Sequence, residues 1–355
     1  MKAALIGFVQ SGKSTILSAI SGKAIGSSGA PASIEEAVVP VPDDRIDWLN
    51  GFYKPKKKTL ATIDVLDVPG FSLTDEHGRA AARKAMNQVR TVDMLVLVVR
   101  AFENPSVTPY KNSVDAMRDV ADLKMELLLA DLELVTTRLE RLEAQSKKPT
   151  KTQAQDRLEL ALQQRLQEAL ENEKPISSAI QTEAEKEMIK SLNFLTQKPL
   201  VVVVNVSDKD LQTQYKFNLP AEVPVVNLCA TLEKELTELD ADSRKEFMSD
   251  LGITEPAAKK FVTSCYGALG LISFLTAGED EVRAWPIKKG TTALDAAGKI
   301  HSDIKRGFIR AETFSIDDLK TLGDEKAVKA AGKMRLEGKA YVVADGDIIN
   351  FRFNV

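Results

Sequence analysis

The sequence predicts an α/β fold with a mostly parallel sheet, interrupted by a helical insertion and followed by a small α+β module. Residues 1–112 alternate strand-like and helix-like segments, and this alternation returns after Lys198. In the intervening stretch, leucines recur at helical spacing among charged residues, as in paired amphipathic helices. After Gly270, short strand-like and helix-like segments lie between glycine turns. We therefore predict a sheet domain made of 1–112 and 196–270, an inserted helical domain at 113–195 and a C-terminal domain at 271–355.

Runs of apolar residues predict the buried strands of the sheet domain. The predicted strands span residues 3–6, 59–66, 94–99, 199–205 and 223–228. Near-continuous apolar runs are typical of parallel strands that are covered by helices on both faces. We therefore expect a mostly parallel sheet with helices on both sides.

The inserted domain is predicted to be two antiparallel helices that pair like a coiled coil. Pro149 lies in a polar stretch and separates two runs of helically spaced leucines. These leucines are Leu123, Leu127, Leu134 and Leu142 in the first run, and Leu158, Leu162, Leu166 and Leu170 in the second. We interpret the apolar stripe as the seam between the two helices rather than as a partner site.

The C-terminal domain is predicted to be a small α+β module. Strand-like segments at 282–287, 341–343 and 348–353 accompany a helix-like segment at 293–300. Glycines mark the turns between several of these segments, which is the usual signature of short connections.

Composition excludes several classes of protein. The chain of 355 residues has 48 basic and 51 acidic side chains, so its net charge of −3 gives no bulk basic field for nucleic acid. Two cysteines and two histidines exclude a disulfide framework and a histidine-rich zinc site. Apolar runs such as 200–204 are too short to cross a membrane. We expect a cytoplasmic protein that contacts no membrane, and its oligomeric state is left open.

A glycine-rich segment between the first strand and the first helix carries the strongest functional signal. Residues 7–14 read Gly-Phe-Val-Gln-Ser-Gly-Lys-Ser, which fits the phosphate-binding pattern Gly-x4-Gly-Lys-Ser. Such a loop turns its backbone N–H groups toward phosphate oxygens, while the lysine supplies a positive charge and the serine hydroxyl binds Mg²⁺. The sequence therefore predicts a P-loop that binds a nucleoside triphosphate with Mg²⁺. The residues predicted to contact the nucleotide here are Gly7, Gln10, Ser11, Gly12, Lys13, Ser14 and Thr15.

Two further segments are predicted to complete the phosphate and metal site. Asp67 and Gly70 form an Asp-x-x-Gly pattern after a predicted strand, so Asp67 is expected to hold the Mg²⁺ shell and Gly70 to approach the terminal phosphate. Ser33 lies in a candidate first switch and is predicted to offer a hydroxyl to Mg²⁺, with an ordinary loop serine as the alternative. The predicted metal ligands are therefore Ser14, Ser33 and Asp67.

The base is predicted to bind after the later strands. Asn205, Val206 and Asp208 belong to a segment that resembles the guanine-reading pattern Asn-Lys-x-Asp, with valine in place of its lysine. Asp208 is able to accept hydrogen bonds from guanine, so GTP stays open. Cys229 and Ala230 follow the next strand and are predicted to close over the base.

Several segments together resemble one known family. These are Leu-Leu-Ala-Asp-Leu-Glu at 128–133, Lys-Lys-Gly-Thr-Thr-Ala at 288–293, Gly-Phe-Ile-Arg-Ala-Glu at 307–312 and Phe-Arg-Phe-Asn-Val at 351–355. With them, essentially the whole chain resembles the YchF (Obg-like ATPase) family of P-loop NTPases. The resemblance implies a ribosome-associated ATPase with a C-terminal TGS domain of β-grasp fold. It also implies contact with the ribosome or its RNA through the TGS and helical domains, and it favours ATP over GTP.

The residue that positions the attacking water is not assigned by the sequence. Phe71 follows Gly70 where many GTPases carry a glutamine, and Pro109 occupies the position where the family carries a histidine. His77 is the candidate catalytic residue, with a surface histidine of no catalytic role as the alternative. We therefore expect slow turnover.

Three alternatives to a slow ATPase stay open. The first is a GTP-specific regulatory GTPase, and the second is a nucleotide-gated protein that binds RNA or the ribosome with negligible hydrolysis. The third is an RNA-binding module with a vestigial nucleotide site.

Overall fold

Two β-sheets, each with six strands in the described part of the chain, organise the fold. The computed structural model describes residues 1–22, 34–146 and 153–354. The chain forms two compact units. One consists of Met1–Ala37 and Val65–Ala257, and the other of Val38–Asp64 and Ala258–Val355. The domain limits given above stay predictions.

The strands and helices alternate along much of the chain. The strands are β1 (Lys2–Ile6), β2 (Glu35–Pro40), β3 (Lys57–Thr59), β4 (Thr62–Asp67), β5 (Met94–Ala101), β6 (Leu200–Val206), β7 (Val225–Leu228), β8 (Leu271–Thr276), β9 (Glu281–Lys288), β10 (Phe308–Phe314), β11 (Arg335–Glu337) and β12 (Ile348–Phe353). The helices are α1 (Lys13–Ser21), α2 (Asp44–Tyr53), α3 (Glu76–Gln88), α4 (Ala116–Ser146), α5 (Gln153–Glu171), α6 (Glu183–Ile189), α7 (Ala230–Glu238), α8 (Ala241–Asp250), α9 (Ala257–Ala268), α10 (Ala293–Ile300), α11 (Ser302–Arg306), α12 (Ile316–Leu322) and α13 (Glu325–Ala330). Within 1–22, 34–146 and 153–354, no helix combines the length and apolarity needed to span a bilayer.

The first sheet has the strand order β2-β4-β1-β5-β6-β7. β1 pairs with β5, β5 with β6 and β6 with β7, and all three pairings are parallel. The apolar runs of β1, β5 and β6 are almost completely buried, which confirms the expectation drawn from their sequence. Parallel pairing places the carboxyl ends of these strands at one edge of the sheet, where ligands bind in open α/β folds.

Two predicted strands are wrong in extent. The segment 59–66 is divided, because β3 pairs with β9 in the second sheet whereas β4 belongs to the first. The alternating burial of β4 fits a strand that packs one face on a core, while the exposed lysines of β3 suit the edge of a sheet. Residues 341–343 form only an isolated bridge from Val342 to Thr292, since neighbouring N–H groups donate to loop carbonyls.

Helices α4 and α5 share an apolar core, to which Leu134, Leu162, Leu166 and Leu170 contribute as the leucine spacing predicts. The seam is wrong at three positions, because Leu123 and Leu127 pack into the core of the first sheet and Leu158 is exposed. Val135 of α4 and Leu166 of α5 are fully buried in the same cluster. Arg138 adds a two-pronged ion pair, in which Nε and Nη2 donate to Glu159 over 2.7 and 3.0 Å. Pro149, the predicted break, lies outside the described residues, and the coiled-coil geometry stays a prediction.

A fully buried carboxylate, Asp131 of α4, joins the helical insertion to the sheet. Asp131 accepts hydrogen bonds from Arg90 Nη1 at 2.7 Å and from the backbone N–H groups of Leu195 and Thr196 at 3.0 and 2.8 Å. The Thr196 hydroxyl donates a fourth hydrogen bond at 2.9 Å. Arg90 follows α3, and Leu195 and Thr196 precede β6. One carboxylate therefore fixes α4 to the chain segments at both sides of the insertion.

The second sheet has the order β11-β10-β12-β8-β9-β3. Its central strands β12 and β8 pair in parallel, while β10 with β12 and β8 with β9 are antiparallel. Thr292 caps the start of helix α10, since its side chain accepts from the Asp295 N–H, and the helix contributes Ala293, Ala296 and Ala297 to the core of this unit. The TGS assignment of this module stays a prediction.

We predict that Asp131→Ala lowers the free energy of unfolding by about 3–5 kcal/mol, because Arg90 loses its carboxylate in a largely buried position. Urea denaturation of the full chain measures this change. Glu140→Ala, at an exposed position of the same helix, is the matched control and is expected to stay within about 0.5 kcal/mol of the wild type. A loss below about 1 kcal/mol for Asp131→Ala would contradict the anchoring role.

Candidate nucleotide-binding site

The glycine-rich loop lies between the end of β1 and the start of α1. Helix α1 begins at Lys13, and Gly12 before it has the left-handed backbone φ of 94°. The first N–H groups of a helix lack partners within the helix and carry a partial positive charge, so they suit a phosphate. The loop therefore places a helix N-terminus at the carboxyl edge of the first sheet.

Glycine is required at two positions of the site, because other atoms come too close to the backbone there to leave room for a Cβ. A Cβ on Gly12 would lie 2.1 Å from Nδ2 of Asn205, and φ there is also strained for other residues. A Cβ on Gly70 would lie 2.8 Å from Cα of Val9 and 3.0 Å from Nζ of Lys13. The Asp-x-x-Gly segment thus packs directly against the phosphate loop.

Lys13 is buried, and its ammonium is held by the loop itself. Nζ donates hydrogen bonds to the carbonyl oxygens of Gly7 at 3.0 Å and Phe8 at 3.2 Å. Burial lowers the pKa of Lys13 from 10.5 to about 8, and the nearby charge of Asp67 opposes that shift. The ammonium is therefore held beside the phosphate cavity by neutral carbonyls.

Ser14 and Asp67 form the candidate metal pair. The Ser14 hydroxyl donates to Oδ2 of Asp67, while Oδ1 of Asp67 is buried and has no hydrogen-bond partner among the described residues. Burial raises the pKa of Asp67, and the Ser14 hydrogen bond and the Lys13 charge act against that rise. A hydroxyl and a carboxylate with a free oxygen are the hard donors that Mg²⁺ takes, so these residues fit the ion. Ser33, the third predicted ligand, lies outside the described residues.

Two adjoining cavities surround the start of α1, and both include Gly12 and Thr15. The phosphate cavity, of about 480 Å³, is lined by Val9, Gln10, Gly12, Lys13, Ser14, Thr15, Asp67, Val68, Pro69 and Gly70. The base cavity, of about 640 Å³, is lined by Gly12, Thr15, Phe102, Glu103, Asn104, Asn205, Val206, Ser207, Asp208, Cys229, Ala230, Thr231, Leu232, Glu235, Phe247 and Leu251. The structure thus brings together most of the nucleotide-binding residues predicted from sequence.

Asn205 links the two cavities through its buried side chain. Nδ2 donates to the Ser11 carbonyl at 3.0 Å, and Oδ1 accepts from the Ala230 N–H at 3.2 Å. Both ends of the amide are therefore engaged with the chain. Asp208 is exposed on the wall of the base cavity and is free to meet a base edge.

Some predicted residues lie away from both cavities. Gly7 has a packing role, because a Cβ there would lie 2.3 Å from the Val98 carbonyl oxygen. Ser11 is buried and lines neither cavity. His77 is exposed in the first turn of α3 and also lines neither cavity.

The aromatic residue after Gly70 is locked into the core. Phe71 is 2% exposed and meets the Phe8 ring edge-on, with 5.8 Å between ring centroids. The Phe8 ring stacks on Tyr110 at 3.6 Å, and the Val9 N–H donates to the Phe71 carbonyl. Phe71 thus connects the Asp-x-x-Gly segment to the phosphate loop and supplies no polar group to the phosphate cavity.

Sequence reasoning missed part of the base cavity. Phe102, Glu103 and Asn104 follow β5, and the rule that ligands bind at the carboxyl ends of parallel strands points to them. Phe247 and Leu251 come from α8 and the residue after it, where no local pattern signals a ligand.

Comparisons with known proteins agree with this geometry. Residues 2–131 match a family model described as "50S ribosome-binding GTPase", and residues 271–354 match the YchF-GTPase_C model, described as "Protein of unknown function (DUF933)". The chain is 38% identical to the ribosome-binding ATPase YchF of Bacillus subtilis over 100% of both chains. This chain belongs to the YchF (Obg-like ATPase) family.

Other relatives fit that membership. The chain is 37% identical to Obg-like ATPase 1 of Oryza sativa subsp. japonica, over 100% of this chain and 92% of that one. The structure of the Schizosaccharomyces pombe YchF GTPase superposes with a TM-score of 0.81 at 32% identity, over 99% of this chain and 97% of that one. The predicted P-loop NTPase fold and the resemblance to YchF are therefore confirmed.

We predict that the affinity for a nucleoside triphosphate falls as pH rises through the Lys13 pKa of about 8. In the free protein the ammonium is charged below this value, so the affinity stays level there and then falls by up to about tenfold per pH unit, until the pH reaches the higher pKa that Lys13 has beside bound phosphates. Between about pH 8 and the ordinary lysine pKa of 10.5, the unfolded chain binds more protons than the folded chain, so the contribution of Lys13 to stability rises with pH.

Nucleotide titrations at a series of pH values measure this dependence. The guanidinium introduced by Lys13→Arg stays charged throughout this pH range. The nucleotide affinity of this variant, whatever its value, is therefore expected not to change with pH. An affinity for the wild type that is constant from below pH 8 to pH 10 would contradict a lowered Lys13 pKa.

Proposed function

We propose that this protein is a Mg²⁺-dependent ATPase of slow turnover that acts at the ribosome. The observation that carries the proposal is the placement of Lys13, Ser14 and Asp67 on the wall of one cavity at the start of α1. The names of its relatives, ribosome-binding ATPase YchF and Obg-like ATPase 1, support both the nucleotide and the partner.

In the proposed reaction, Lys13 and the N–H groups at the start of α1 bind the phosphates. Ser14 and Asp67 hold Mg²⁺, which neutralises phosphate charge when bound. Water attacks the terminal phosphorus in line, the bond to the bridging oxygen breaks, and its electron pair leaves with ADP. The Lys13 ammonium stabilises the charge that develops on the phosphoryl oxygens.

ATP is the nucleotide that we favour over GTP. Val206 stands where guanine-reading sites carry lysine, and the Asn205 amide is engaged with Ser11 and Ala230. We therefore infer that Asn205 shapes the base cavity and does not itself read the base. The exposed Asp208 is the one remaining feature in this segment that suits guanine.

A nucleotide-gated binding protein with negligible hydrolysis is the second candidate function. Phe71 is buried in an aromatic cluster, and Pro109 offers no hydrogen-bond donor. Neither of these positions supplies a group that orients water. Measured turnover decides between the two candidates.

We infer that the ribosome is contacted through the C-terminal and helical domains. Arg310 of β10 and Arg352 of β12 are exposed and directly opposite each other in the sheet. Like charges in such positions repel each other, although Glu312 pairs with Arg352, and an anionic RNA surface relieves that repulsion.

Phosphate release by the purified protein tests the proposed activity. We expect ATP hydrolysis that depends on Mg²⁺, and a loss of roughly 100-fold or more in Lys13→Ala, because Lys13 stabilises the transition state. Lys299→Ala, at an exposed position outside the site, is the matched control. Hydrolysis that is equal in wild type and Lys13→Ala, despite nucleotide binding, would favour the second candidate. Titration with both nucleotides completes the test, and a GTP affinity more than tenfold above that for ATP would overturn the choice of ATP.

Cosedimentation with ribosomes at several salt concentrations tests the proposed partner. We expect the double variant Arg310→Glu with Arg352→Glu to bind more weakly and to lower the slope of log affinity against log salt by about 2. Unchanged binding and an unchanged slope would exclude this face as the contact.

A further inference from the structure

Gln10 lies in the phosphate loop with a backbone conformation that glutamine rarely adopts. Its φ is 62°, in the left-handed region that favours glycine and asparagine. The side chain is exposed, has no hydrogen-bond partner among the described residues, and the residue lines the phosphate cavity. Strained residues of this kind persist where the surrounding structure holds them, and they concentrate at functional sites.

Three other polar side chains of the phosphate cavity, Lys13, Ser14 and Asp67, already have hydrogen bonds within the site. Lys13 donates to loop carbonyls, and the Ser14 hydroxyl donates to Asp67. Thr15 also lines the base cavity, one residue further along α1. Among the described residues of this wall, the side chains of Gln10 and Thr15 have no hydrogen-bond partner, and Gln10 is the exposed one of the two and carries both a donor and an acceptor in its carboxamide.

The positions that supply a catalytic side chain in related NTPases offer none here. Phe71 is packed against Phe8, and Pro109 has a ring in place of a polar side chain. His77 is exposed on α3 and lines neither cavity. A second group that meets the transferred phosphoryl group beside Lys13 therefore has to come from elsewhere, and the phosphate loop lines the same cavity.

We propose that the Gln10 carboxamide is a catalytic group that contacts the terminal phosphoryl group during hydrolysis. Its N–H bonds are suited to donate to phosphoryl oxygens, on which negative charge is spread in the transition state. The amide takes no proton. The water oxygen bonds to phosphorus, the bridging bond breaks toward ADP, and the proton leaves to solvent. This inference rests on the proposed ATPase function.

The alternative is a strained loop residue without contact to the nucleotide. Glycine and asparagine both tolerate the left-handed backbone, so a difference between these two variants does not come from backbone strain. The two variants differ in one respect, because asparagine retains a carboxamide and glycine does not. Gln10→Gly and Gln10→Asn therefore separate the chemistry of the side chain from the conformation of the loop.

Three measurements on the full chain test the proposal. They are the melting temperature, the turnover of Mg²⁺-ATP, and the affinities for ADP alone and for ADP with aluminium fluoride, which mimics the transferred phosphoryl group. Gln164→Ala, which removes an exposed glutamine from α5, is the matched control.

For Gln10→Gly we expect an equal or higher melting temperature, unchanged affinity for ADP, and a loss of turnover of roughly 100-fold, as for removal of a preorganised donor. The affinity for ADP with aluminium fluoride is expected to fall in the same variant. Gln10→Asn is expected to retain more turnover than Gln10→Gly, because its shorter carboxamide still reaches toward the phosphate.

Equal turnover in wild type, Gln10→Gly and Gln10→Asn would overturn the role of Gln10 and leave the proposed ATPase intact. An equal loss of turnover in both variants, with unchanged affinity for ADP with aluminium fluoride, would also overturn it. Absence of hydrolysis in the wild type would instead reject the proposed function, and the aluminium fluoride affinities would then still report whether Gln10 contacts a phosphoryl group.

Discussion

The buried ammonium of Lys13 is the constraint on which the candidate site depends. A charge in this position needs nearby oxygens, and the carbonyls of Gly7 and Phe8 supply them at 3.0 and 3.2 Å. The loop has to fold back on itself for these carbonyls to reach Nζ. That fold requires a left-handed backbone at Gly12 and close contact of Gly7 with the neighbouring strand β5. The glycines and the lysine of the pattern are thus parts of one physical arrangement.

The same loop is also the meeting point of three chain segments. The Phe8 ring stacks on Tyr110, which precedes α4, and meets Phe71 edge-on. Asn205 joins the other side of the loop to the turn at Ala230. Ring contacts therefore connect Phe71, the residue after Gly70, through Phe8 to the segment that leads into the helical insertion. At the far side of that insertion, Asp131 holds α4 to the segment that precedes β6.

Much of the fold and site could be predicted because the signals are local. The runs that form β1, β5 and β6 are apolar over their whole length, and buried parallel strands require that. The phosphate loop and Asp67 are read from short patterns whose chemistry fixes the residue types. By contrast, the segment 59–66 was wrong as one strand, because its two ends pair in different sheets and pairing partners are distant in sequence. No sequence pattern indicates that Phe247 lies at the base cavity, because its helix is mostly polar and has Met248 as its other large apolar residue.

The sequence by itself determined that this chain has a P-loop, a helical insertion rich in leucine and several sequence segments that resemble the YchF family. Those features follow from residue type and spacing along the chain. The tertiary structure decided that Asn205 braces the loop, that Phe71 is buried in an aromatic cluster, and that His77 stays away from both cavities. The physical reason is that these roles depend on which groups become neighbours after folding. Hydrogen-bond partners and burial are set by packing between distant segments, and no local pattern encodes them.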